Sequence, residues 1–91
     1  MVSVRARPDA EVWLCEVDVD DDGSKTHHVV TVTQEDLERW GTGVDREAVE
    51  DLVKRSFDFL LEREPATSIL RTFDLSVIRG YFPEYDQRFG R

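Results

Sequence analysis

The stretch from Asp45 to Arg63 constrains this chain most. Val49, Leu52, Val53, Ser56, Phe57, Leu60 and Leu61 recur at the i, i+3, i+4, i+7 spacing of one helical face, with Glu47, Glu50, Asp51, Lys54, Arg55, Asp58 and Glu62 mostly off it. A segment this long and periodic reads as a helix that organises a core and keeps a solvated back. Asp45 caps its first turn, Glu47 complements the positive end of the helix dipole, and Pro65 forces a stop near Glu64. A helix with one apolar face needs a second layer to cover it, and the rest of the chain must supply that layer.

The residues before the helix have the pattern of a sheet. Val2, Val4 and Ala6 alternate with Ser3, Arg5 and Arg7, the period of a half-buried strand, and Pro8-Asp9 supplies turn chemistry after them. From Glu11 to Asp20, Trp13, Cys15, Val17 and Val19 point one way while Val12, Leu14, Glu16, Asp18 and Asp20 point the other. A third strand runs from about Lys25 to Thr33. Asp22-Gly23 between the last two is a type I′ signal, and a two-residue turn there pairs Asp20 with Lys25, Asp18 with His27, Val17 with His28, Cys15 with Val30 and Trp13 with Val32. Slipping by one residue would set the apolar face against Thr and Lys, so the pattern selects its own register.

Thr33 is an N-cap for a short helix over 34–41, with Leu37 and Trp40 inward and Gly41 as a left-handed C′ residue. Beyond Pro65, Ile69, Leu70 and Phe73 fall at helical spacing. Asp74 then caps a further turn through Leu75, Val77 and Ile78 that ends at Gly80, and Tyr81, Phe82 and Tyr85 cluster around Pro83. This tail, Ser68-Ile69-Leu70, Phe73-Asp74-Leu75-Ser76, Ile78 and Tyr81-Phe82-Pro83-Glu84-Tyr85, resembles the C-terminal signature of small, uncharacterised prokaryotic proteins. The resemblance covers the last quarter of the chain and implies no reaction, so no catalytic residue follows from it.

Composition bounds what such a chain can do. At 91 residues it is one small domain, and a domain of this size buries only about 60–65% of the surface of its unfolded chain, which favours a cleft or flat surface over an enclosed site. Hydrophobic residues at 40% are enough for a core. No apolar run is long enough to span a bilayer or to serve as a secretory signal, and the expected location is cytoplasmic. Cys15 lies inside an alternating apolar run and reads as a small buried hydrophobe. A net charge of −8 repels a phosphate backbone. Nucleic-acid contact through Arg5 and Arg7 would require them to cluster with Arg71, Arg79, Arg88 and Arg91.

Three constellations hold potential chemistry. Asp18-Val19-Asp20-Asp21-Asp22-Gly23 opens like a calcium loop, with Asp18, Asp20 and Asp22 as hard oxygen ligands, but the closing bidentate Glu is replaced by Val29 and the flanks are strands. An acidic hairpin turn is the plainer reading, with weak cation binding at best. His27 and His28 are adjacent on a strand and point to opposite faces, so both cannot easily serve one metal ion, and His28 with Cys15 is at most a two-ligand start. The carboxylates of the long helix alternate with Arg46, Lys54, Arg55 and Arg63, as on a solvated surface. No catalytic residue and no cofactor follow from these patterns.

The sequence therefore predicts an α+β domain. A three-stranded antiparallel meander over 1–33 packs its Trp13, Cys15, Val17, Val30 and Val32 face on one long amphipathic helix over 45–63, with a short helix over 34–41 and a short helical, aromatic tail over 66–91. The expected function is a non-enzymatic protein-interaction or regulatory module, binding a protein partner or a second copy of itself. Val12, Leu14, Val29, Tyr81, Phe82 and Tyr85 are the candidate contact residues, and open strand edges are a second route to pairing.

Overall fold

Asp22 and Gly23 adopt φ values of 54° and 86°, the two left-handed positions that a type I′ turn requires. In the computed structural model of the chain, which describes residues 1–90, that turn joins β2 (Val12–Asp21) to β3 (Ser24–Val32). The register matches the pattern argument pair for pair, from Asp21 opposite Ser24 to Trp13 opposite Val32. β1 (Val2–Asp9) pairs with β2 antiparallel, Val2 opposite Val19 and Asp9 opposite Val12.

The first hairpin turns later than Pro8-Asp9. Ala10 and Glu11 form the turn, with Ala10 at φ 55°, and Pro8 lies inside the strand opposite Trp13. The ladder explains why proline is tolerated. The Met1 carbonyl accepts from the Asp20 N–H at 2.8 Å, so bonded pairs alternate from Met1:Asp20 through Ser3:Asp18 to Asp9:Val12. Val2, Val4, Ala6 and Pro8 therefore turn their backbone nitrogens away from β2, where proline forfeits no bond.

α1 (Gln34–Trp40) starts at Thr33 in a capping box: the Thr33 hydroxyl accepts from the Asp36 N–H at 3.2 Å, and the Asp36 carboxylate accepts from the Thr33 N–H at 3.0 Å. Gly41 is extended, at φ −83° and ψ 167°, and not left-handed. Space is what selects glycine there, because a Cβ would meet the Leu37 carbonyl oxygen at 2.8 Å. α2 (Arg46–Leu61) is capped by the Asp45 side chain on the Ala48 N–H at 2.9 Å. Val49, Leu52, Val53, Ser56, Phe57 and Leu60 are buried as the periodicity requires; Phe59 is buried as well, and Leu61 is half-buried. The buried face of the sheet, Ala6, Cys15, Val17, Val19, Val30 and Val32, shares one core with them, and Trp13 packs at its margin.

Beyond Pro65 the helical reading fails. A single 3₁₀ turn (Ala66–Ser68) gives way to β4 (Thr72–Asp74), which runs parallel to β3. The sheet is thus four-stranded and mixed, in the order β1-β2-β3-β4. The Val29 N–H donates to the Arg71 carbonyl at 2.7 Å and the Leu75 N–H to the Thr31 carbonyl at 3.0 Å. The unpaired edge of β3 supplied backbone partners that outweighed helical spacing over so short a segment. Asp74 is accordingly in a strand and caps nothing; α3 (Val77–Tyr81) follows Ser76 and runs past Gly80.

α4 (Glu84–Phe89) brings the last described residues back over α2. Tyr85 is fully buried, its hydroxyl 2.6 Å from Ser56 Oγ and its ring stacked on Phe89 at 4.4 Å. Trp40 Nε1 donates to Asp86 at 2.7 Å. Tyr85 is therefore a core residue and not a contact residue, because α4 folds it against α1 and α2 and the Ser56 hydroxyl satisfies its only polar atom.

Candidate functional site

His28 is the residue that ties the sheet to the C-terminal segment. It is buried, and its Nδ1 donates to the Leu70 carbonyl at 2.7 Å while Nε2 accepts from the Thr26 hydroxyl at 2.9 Å. A carbonyl only accepts, so the proton sits on Nδ1 in the neutral ring. This bond fixes Leu70 at the entrance to β4. Cys15 lies on the same buried face with its thiol pushed up to about 12, first by burial and then by the Glu50 carboxylate, and so is not a nucleophile.

The segment anchored by His28 forms one wall of an apolar groove. Leu60 and Glu64 at the end of α2, Ile69 and Leu70, Phe73 of β4, and Val77, Ile78, Tyr81 and Phe82 from α3 and its C-terminal end surround a space of about 150 Å³. Leu60, Ile69, Phe73 and Ile78 are buried and form its floor; Leu70 is 47% exposed and Tyr81 69% exposed on its rim. Leu70 and Tyr81 thus leave large apolar side chains open to water on one groove. The polar groups in the lining are the Glu64 carboxylate and the hydroxyls of Ser68 and Tyr81. No histidine, cysteine or cation lines it, so the groove holds neither a base and nucleophile pair nor a metal-binding set.

The other candidate residues lie elsewhere. Val12, Leu14 and Val29 are half-buried on the sheet face opposite the one that carries Cys15, Val17 and Val30. On that face Asp18 accepts from His27 Nδ1 at 2.8 Å, Arg5 reaches Asp18 at 3.5 Å and Glu16 at 3.7 Å, and His27 Nε2 lies 3.7 Å from Glu16. The His27 hydrogen bond holds the Asp18 carboxyl below its usual range, with the charges of His27 and Arg5 adding to it. Asp20 stands opposite Lys25 and Asp22 is in the turn. Asp18, Asp20 and Asp22 thus spread along the hairpin, with Asp18 already engaged. Among the described residues no three His, Cys, Asp or Glu side chains are grouped to hold a metal ion.

The arginines do not converge either. Arg5 is committed to Glu16 and Asp18, Arg79 lies 3.8 Å from Asp86 and Arg88 lies 2.9 Å from Glu62; Arg91 lies outside the described residues. No helix among the described residues is long and apolar enough to cross a membrane. Of the residues lining the groove, the sequence pattern singled out Tyr81 and Phe82 and not Leu70, which it placed on a helical face. The signal that pointed elsewhere was Thr72-Phe73, a strand-favouring pair after a proline-terminated helix. No protein family, no curated protein and no solved structure matches the chain.

Proposed function

We propose that this chain is a non-enzymatic protein-interaction module whose contact site is the groove between α2, β4 and α3. The observation that carries the reading is the exposure of Leu70 and Tyr81 beside an apolar floor. Residues of the C-terminal signature, Ser68, Ile69, Leu70, Phe73, Ile78, Tyr81 and Phe82, all line this groove. Its lining is built for burying apolar side chains and holds no catalytic pairing of polar groups. The outer sheet face is the lesser surface, because Arg5, Glu16, Asp18 and His27 satisfy one another across it.

Three tagged proteins test this: the native chain, Leu70→Glu in the groove, and Leu14→Glu on the outer sheet face. After capture from cells, a stoichiometric protein retained by the native chain and by Leu14→Glu but lost from Leu70→Glu supports the reading. Loss from Leu14→Glu alone, the same proteins on all three, or none on any of them overturns it. Sedimentation of the purified native chain shows in the same series whether the retained protein is a second copy.

A further inference from the structure

The groove adjoins the β4 edge of the sheet. In β4 the Arg71 carbonyl and the Leu75 N–H bond to β3, so the ladder uses residues 71, 73 and 75, and the N–H and C=O groups of Thr72 and Asp74 turn outward. Neither residue has another hydrogen-bond partner among the described residues, and both are exposed. Phe73 between them points inward and lines the groove floor. A strand laid beside β4 would lie about 4.8 Å away, and the side chain opposite Phe73 would stand on the same face as Phe73, over the groove. Free backbone groups and an apolar pocket for alternate side chains are the two parts of recognition by strand addition.

We infer that the groove takes an extended segment of a different protein, added as a fifth strand to the edge of β4, with apolar side chains at alternate positions and lysine or arginine between them. This rests on the groove being the contact site. Charge selects the occupant. Asp74 on the edge strand and Glu64 in the groove wall have no ion pair among the described residues, Arg71 is the exposed counterweight at the start of the strand, and the chain carries a net charge of −8. A basic segment is steered toward such a surface, whereas two copies of this chain repel each other.

Fluorescent, end-blocked peptides serve as probes: leucine alternating with lysine, the same composition ordered at helical spacing, and serine alternating with lysine. In anisotropy titrations of the full chain the alternating leucine–lysine probe binds at least tenfold more tightly than the other two. Leu70→Glu weakens it at least tenfold, as does Thr72→Pro, which removes an outward N–H and leaves the β3 ladder intact. N-methylation of one alternate set of probe amides abolishes binding and of the other set does not, a readout that leaves the protein unaltered. Tighter binding of the helical-order probe with Leu70→Glu still weakening it, or indifference to N-methylation, overturns strand addition and leaves the groove as the contact site. Binding indifferent to Leu70→Glu, or no binding by any probe, overturns both.

Discussion

Along the outer edge of β1 the Ala6 N–H is held by a helix side chain and Pro8 offers none, whereas along β4 the outward groups of Thr72 and Asp74 have no partner among the described residues. The Ala6 N–H donates to the Glu50 carboxylate at 2.8 Å, so α2 reaches the β1 edge and occupies one outward donor, and Pro8, further along the same edge, has no N–H to offer. At β4 neither device is present: no side chain among the described residues hydrogen-bonds the outward groups of Thr72 and Asp74, and Phe73 between them lines the apolar groove. The two edges belong to one small sheet, and only β1 carries devices of this kind.

The largest expected effect comes from unseating β4. Phe73 is buried between Phe57, 6.1 Å away ring to ring, and the groove, and Phe73→Ala should cost about 3–5 kcal/mol in urea denaturation. A loss below about 1 kcal/mol would mean that β4 is not held by the core. Next is the Glu50 contact on β1. Glu50→Ala leaves the buried Ala6 N–H without an acceptor and should cost about 1–3 kcal/mol, with faster hydrogen exchange at Ala6 and none of that acceleration at Val29, which β4 protects.

The two sides also differ in their response to acid. Buried Asp36 has its carboxyl pushed above the ordinary 3.8, first by desolvation and further by Asp74 of β4 and by Glu35, against the bonds from Thr33. Its contribution to stability is full below 3.8 and is lost as pH rises through its folded value. Asp18, between β1 and β3, is held below 3.8 by His27 and contributes above 3.8, a gain lost as pH falls through its folded value. Asp36→Asn keeps an oxygen for the Thr33 N–H and should flatten the stability profile above 3.8 only, and Asp18→Asn below it only. Denaturation midpoints across that range separate the two. The smallest effect is expected from Pro8→Ala, which restores an outward N–H on the β1 edge: stability should change by less than about 0.5 kcal/mol, and the sign that the edge had been opened to pairing is concentration-dependent sedimentation absent from the native chain.

Particular residues show where the sequence could be read and where it could not. The Asp22-Gly23 turn, the register from Asp21:Ser24 to Trp13:Val32, the Thr33 and Asp45 caps and the buried stripe of α2 are all local or periodic, and neighbours along the chain determine them. The Pro8-Asp9 turn failed because proline is as compatible with an edge strand as with a turn, and which one it takes depends on where β2 lies. Phe59 and Tyr85 went unread as core partners, 5.4 Å apart ring to ring, because their burial requires α4 to fold back over α2.

The candidate site divides the same way. Tyr81 and Phe82 announced themselves as aromatics around a proline, but Leu70 did not, since its exposure depends on β4 pairing with Val29 and Thr31 and on His28 holding its carbonyl. The sequence by itself determined the hairpin, the helices that carry caps, and which faces are apolar, because turn φ values, capping and side-chain periodicity act over a few residues. Only the tertiary structure decided that a segment with helical spacing becomes a parallel edge strand, which edge donor Glu50 occupies, and that Leu60, Leu70 and Tyr81 meet around one groove. Backbone hydrogen bonds and apolar burial between residues distant in sequence set those outcomes, and no local pattern encodes them.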